Sequence, residues 1–161
     1  MTTFRRWRMF VLLVCLGAVV LYAPPAAAEA LSVVRGATYL ITITDAHGAF
    51  ASRGVITLHG DRTLSAIDSN QGGPTFFFSS QLGAWKFDGK GGVVGRTLDF
   101  DFPPPPAQAV ARLDYTFKFS ANDTHVTGTI TLRSFPLQND PLDGDGTVLG
   151  TFTFTGTLVT P

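Results

Sequence analysis

Arg96 is the side chain whose position in this sequence most invites chemistry. It shares parity with Val94, Leu98, Phe100 and Phe102. A regular strand here would point its guanidinium inward among apolar neighbours. A buried arginine requires a carboxylate partner or a ligand. A place near a barrel mouth, or a bulge near Gly95, would return it to solvent. Gln81 shares parity with Gly83, Trp85 and Phe87 and offers a second inward polar group. Aromatic rings are plentiful: Tyr39, Phe76, Phe77, Phe78, Trp85, Phe87, Phe100, Phe102, Tyr115, Phe117, Phe119, Phe152 and Phe154. Such rings either fill a core or line a pocket for an apolar or aromatic ligand. The candidate ligand-binding set is therefore Arg96, Trp85, Tyr115, Phe117 and Gln81.

Other chemistries find less support. His47, His59 and His125 fall in or beside turn signals or at a strand end, with no metal-ligand spacing. Ser79 and Ser80 lack the glycine-flanked setting of a serine nucleophile. Asp99 and Asp101 alternate with the apolar parity of their strand and are expected on its outer, solvated face. Asn139, Asp140, Asp143 and Asp145 cluster around Gly144 and Gly146. Oxygen ligands on a glycine-rich loop suit calcium, but the full calcium-loop pattern is absent and no glutamate follows. Turn chemistry alone accounts for that cluster. Asn122-Asp123-Thr124 matches a glycosylation sequon, which matters only in a eukaryotic secretory host. Cys15 is the only cysteine and lies in the leader, so no disulfide, thiol nucleophile or thiolate metal site follows. No catalytic residue, metal or cofactor is assigned.

The elements that must position these groups are strands. Threonine, valine and phenylalanine abound, glutamate occurs once, and no window carries a helical apolar period. Leu113, Tyr115, Phe117 and Phe119 share one face, with Arg112, Asp114, Thr116 and Lys118 opposite. Val126, Gly128, Ile130 and Leu132 repeat the pattern, as do Val148, Phe152, Phe154 and Leu158, and Tyr39, Ile41 and Ile43. Turn signals separate such runs: His47-Gly48, Gly60-Asp61, Asp88-Gly89, Asn122-Asp123 and Asp143-Gly144. The spacing predicts eight strands, near 37–44, 51–59, 62–68, 76–86, 93–102, 109–120, 125–134 and 147–159. Longer connectors lie at 69–74 and 135–146, and the tetraproline Pro103 to Pro106 cannot continue a ladder. Short connectors imply antiparallel neighbours, and closure removes exposed edges. The expected fold is all-β: a single antiparallel eight-stranded up-and-down barrel, with a two-sheet β-sandwich as the alternative. The loop 135–146 is either a lid over the mouth or a tolerated insertion.

The chain has 161 residues, with 12 basic and 12 acidic side chains. Arg5, Arg6 and Arg8 precede the apolar run Met9 to Tyr22, followed by Pro24, Pro25 and Ala26-Ala27-Ala28. That layout is a secretory signal, with cleavage near Ala28 or Ala30. The run is short for a membrane span. The expected division is a signal peptide at 1–28, a linker at 29–36 and a β-barrel domain at 37–161. Removal of the leader leaves a modest acidic excess, which argues against nucleic acid as a partner. The product is expected to be secreted or periplasmic, without a membrane span after cleavage, and its protein partners are unknown.

Gly83-Ala84-Trp85 on a strand, the Asx-Gly hairpins and the closing Gly150-Thr151-Phe152-Thr153 run resemble small secreted bacterial barrels of the calycin-like, lipocalin-like kind. The resemblance spans about Gly36 to Val159. It differs from lipocalins proper in placing the Gly-x-Trp motif on the fourth strand rather than the first. It implies architecture and does not specify a ligand. Three functions follow as expectations. The first is an extracytoplasmic barrel holding a small apolar or aromatic ligand. The second is a filled structural or interaction barrel without ligand. The third is a barrel cyclase or isomerase, for which the expected interior supplies few acid–base groups. A non-enzymatic role is therefore favoured.

Overall fold

The alternating runs form strands in the computed structural model, which describes residues 36–72, 77–102 and 109–161. The expected signal peptide, nearly all of the linker, Phe76 and the tetraproline lie outside the described residues. Eight strands run in chain order: β1 (Ala37–Thr44), β2 (Phe50–Leu58), β3 (Thr63–Asp68), β4 (Gln81–Phe87), β5 (Val93–Asp101), β6 (Ala109–Phe119), β7 (His125–Pro136) and β8 (Thr147–Leu158). Each pairs antiparallel with the next, and β8 returns to β1 to close the barrel. The closing ladder runs from Tyr39 opposite Leu158 to Thr44 opposite Thr153. The all-β, eight-stranded up-and-down barrel expected from the sequence is the fold observed, and the sandwich is not.

Most expected hairpins use the residues that tolerate a left-handed backbone. Gly48, Gly89, Gly91 and Asp123 all have positive φ. In the β2–β3 turn it is Arg62, not Gly60, that takes this conformation, at φ 71°. Aspartates lock the turns from the side. Asp45 Oδ1 accepts from the backbone N–H of His47 and Ala49. Asp88 Oδ1 accepts from Lys90 and Gly92, and these bonds hold its carboxyl below the usual carboxylate range.

The interior is filled unevenly along the barrel axis. Inward positions of β6 read Ala109, Ala111, Leu113, Tyr115, Phe117 and Phe119, from small to large along the strand. The large end is packed with rings. Phe117 lies 5.6 Å from Tyr115, 6.4 Å from Phe119 and 5.5 Å from Phe154, measured between centroids. Tyr39 lies 6.0 Å from Phe119, and Trp85 lies 5.3 Å from Phe87. Trp85 Nε1 donates to the carbonyl of His59 at 2.9 Å, tying the plug to the β2–β3 turn. Burying each ring is worth roughly 1.5–3 kcal/mol, so this half carries much of the stability. Glycine makes room for the plug. At Gly128 a β-carbon would fall 2.4 Å from the Phe154 ring and 1.9 Å from the carbonyl oxygen of Thr116.

β5 corrects the sequence reading of its faces. Its inward residues are Val93, Gly95, Thr97, Asp99 and Asp101, whereas Arg96, Leu98 and Phe100 face outward. Arg96 pairs across the ladder with Asp114, an outward residue of β6. No bulge at Gly95 is involved, because the β5 ladders with β4 and β6 are regular. The hydrophobic pattern misleads because the outer face of this strand is apolar and its inner face is polar. Phe77, Phe100 and Phe102 are accordingly exposed rather than in the core. Val148 is also exposed, because a register shift at Leu132/Arg133 of the β7–β8 ladder displaces it from the inner face.

Candidate ligand-binding cavity

At the end opposite the ring plug, the small inward residues leave a cavity of about 500 Å³. Its apolar wall includes Ile43, Ala51, Ala109, Ala111, Leu113, Ile130, Leu132 and Phe152. Its polar groups are Ser52, Asp68, Asn70, Gln81, Asp99, Asp101 and Ser134. Phe77 and Phe78 reach its rim because the segment before β4 runs beside the end of β5. Phe102 donates its N–H to the carbonyl of Phe77 at 2.6 Å, and Phe78 forms a bridge with Asp101. An eight-stranded barrel has room for one small ligand when its side chains do not fill it.

The three carboxylates differ in their surroundings. Asp68 accepts from Ser52 Oγ at 2.8 Å and from the N–H of Asn70 at 2.8 Å, so both oxygens are engaged. Asp99 is only 4% exposed, and its Oδ1 has no hydrogen-bond partner. Burial, assisted by the nearby Asp101 carboxylate, pushes its carboxyl up to about 7. Burial raises Asp101 as well. A buried, unpaired carboxylate is costly, and taking up a proton near neutral pH relieves that cost. Among the described residues, no lysine, arginine or histidine lines the cavity.

Gln81 closes the cavity floor. Its Oε1 accepts from Tyr115 Oη at 2.5 Å and from Thr97 Oγ1 at 3.4 Å. Burial raises the Tyr115 phenol well above its ordinary range, so it remains a neutral donor. A satellite space of about 30 Å³ lies beneath, against Tyr115, Gln81 and Asp68.

Of the sequence-derived set, Gln81 therefore lines the cavity. Tyr115 sits directly under it, while Trp85 and Phe117 belong to the core. Arg96 is not an inward cation. Its side chain is 45% exposed and its Nε donates to Asp114 Oδ1 at 2.6 Å on the outer wall. Asp99 and Asp101, read as outer solvated residues, are inward and form the polar side of the cavity. Asp68 and Ser52 went unremarked in the sequence. One signal could have placed the aspartates. The alternation of β6 puts Asp114 outside, and an opposite charge directly across a ladder shares that face. Arg96 opposite Asp114 thereby turns Asp99 inward.

The β7–β8 loop is not a lid. None of residues 137–146 lines the cavity. The loop docks on the outer wall, where Arg112 Nη1 donates to the carbonyls of Pro141 and Gly144 at 2.8 and 3.0 Å. Arg112 also binds Asp114 at 3.1 Å and lies 5.1 Å over the Phe135 ring. Asp140, Asp143 and Asp145 serve this loop's own geometry. Asp140 Oδ1 accepts from Leu142 N–H, and the Asp145 carbonyl accepts from Arg133. Among the described residues no group of three or more histidine, cysteine or acidic side chains is arranged to hold a metal ion.

No family model, curated protein or solved structure matches this chain.

Proposed function

We propose that the chain is an extracytoplasmic container that holds one small, mainly apolar molecule in the open half of its barrel. The observation that carries this reading is the half-filled interior, with rings packed at one end and a cavity of about 500 Å³ at the other. That volume lies within the range of small-molecule sites, and its mixture of apolar wall and few polar groups is typical of them. A wholly packed barrel, the structural alternative, would lack such a space. Export by the leader at 1–28 and kinship with calycin-like secreted barrels belong to the proposal and rest on the residues described above. Native mass spectrometry of the protein, purified gently from its own extracytoplasmic fraction, tests it. A reproducible added mass that leaves on denaturation supports a container. A bare polypeptide mass that stays bare after exposure to a lipid and small-molecule extract overturns it.

One observation favours a second reading, a cyclase or isomerase. Asp99 sits against an apolar wall with its carboxyl raised to about 7, where a group can both give and take a proton. Such an enzyme would catalyse deuterium incorporation from D₂O into a component of the extract, and Asp99→Asn would abolish it.

A further inference from the structure

We infer that the cavity selects an organic cation, a protonated amine on an apolar body, and seats its ammonium group against Asp99. This deepens the container reading and rests on it. Four features of the molecule converge.

Asp99 is buried at the cavity surface with an oxygen that has no hydrogen-bond donor. That oxygen is itself enclosed, so a ligand's ammonium seated beside Asp99 supplies the missing counter-charge and reaches it as an N–H donor once the carboxyl turns toward the cavity; such charge-assisted bonds are about twice as strong as neutral ones. Asp101 lies two residues along the same wall, and Asp68 stands on β3, so the charge near the site is acidic. No basic side chain among the described residues neutralises these carboxylates from within.

The arginines nearest in sequence are spent outside. Arg96, Arg112 and Arg133 all converge on Asp114, at 2.6, 3.1 and 3.5 Å. The barrel thus keeps these arginines on the outer wall and leaves its inner carboxylates without a counter-charge among the described residues. The rest of the cavity is aliphatic or aromatic, which favours an apolar body. An anionic ligand, such as a fatty acid, would meet like charge in a low-dielectric recess and be rejected.

Binding is coupled to a proton. At pH 6 Asp99 holds one, and the incoming ammonium displaces it. Amine affinity should therefore rise with pH up to about 7 and then level off, until the amine itself deprotonates. The groups that face Asp99 are Asp101 on its own strand, Asp68, and the neutral phenol of Tyr115.

The test uses three probes of one shape and different charge: 1-naphthylmethylamine, 1-naphthylmethanol and 1-naphthoate. Each is titrated calorimetrically into the protein as its host processes it, in two buffers of different ionisation enthalpy. The amine should bind at least about tenfold tighter than the alcohol, with naphthoate weakest, and with net proton release at pH 6. Asp99→Asn should abolish the amine's advantage over the alcohol, together with the proton release at pH 6. Equal binding of amine and alcohol, or a preference for naphthoate, overturns the cation inference and leaves the container standing. Binding of none of the three overturns the container beneath it. The ranking in the unmodified protein decides the matter even where Asp99→Asn fails to fold.

Discussion

Replacing Asp99 by asparagine should stabilise the barrel, and increasingly so as the pH rises. An aspartate carboxyl that titrates at 3.8 in the unfolded chain titrates at about 7 in the fold. Between those values the folded state holds a proton that the unfolded state has released. Stability therefore falls as pH rises through this window, by about 1.4 kcal/mol per pH unit at most, and is level above it. The full shift would amount to about 4 kcal/mol. Solvent entering the open mouth screens part of it, so about 2–4 kcal/mol is expected. Asparagine keeps the shape and removes the ionisation. The variant should match the native protein near pH 4 and exceed it by this amount at pH 8. For a domain of this size each kcal/mol moves Tm by roughly 3–5 °C, giving a gain of about 6 °C or more. Asp101, also raised by burial, contributes a slope of the same sign to both proteins, and the difference curve reports Asp99 together with its repulsion by Asp101. Urea unfolding at pH 4, 6 and 8, followed through Trp85, supplies the measurement, since Trp7, within the proposed signal segment, is the only other tryptophan. A difference that is constant across pH, or a variant less stable at pH 8, refutes the reasoning.

Three further outcomes are expected. Ala111→Trp should fill the mouth half of the barrel, where Ala111 lines the cavity; uptake of any ligand seen by native mass spectrometry should vanish while circular dichroism and Tm stay within a few degrees. Arg112→Met should cost about 1–3 kcal/mol, because it leaves two loop carbonyls without this donor while Asp114 keeps Arg96 and Arg133; limited proteolysis should then cut faster within 137–146 than in the native protein. Gly83→Ala should be destabilising despite its small size, because the new β-carbon would fall 1.9 Å from the carbonyl oxygen of Arg96; amide exchange across the β4–β5 ladder should accelerate, and unchanged protection there would count against the close approach.

Much of the barrel was legible in the residues because its determinants are local. Strand bounds for β1, β2, β3, β5, β6, β7 and β8 follow from alternation and turn signals, to within a residue or two. β4 is the exception. It begins at Gln81 rather than near 76, because residues 77–79 lie beside β5 in a bridge and irregular hydrogen bonds that leave no periodic mark. Leu113, Tyr115, Phe117 and Phe119 were placed inside correctly because β6 is half-buried in the ordinary sense, apolar within and polar without.

The cavity was not legible, and β5 shows why. Binary patterning assumes that the inside is the apolar side. Around an unfilled cavity that assumption fails, since the β5 residues facing it are polar and the outward Leu98 and Phe100 are the apolar ones. By itself the sequence determined an all-β chain, its strand count and its hairpin turns, which depend on backbone preferences within a few residues. Tertiary structure alone decided which face of β5 looks inward, which half of the barrel is filled and where the 137–146 loop docks. Those outcomes depend on ladder partners far apart in the chain, such as Arg96 with Asp114 and Arg112 with Gly144, which only closure brings together.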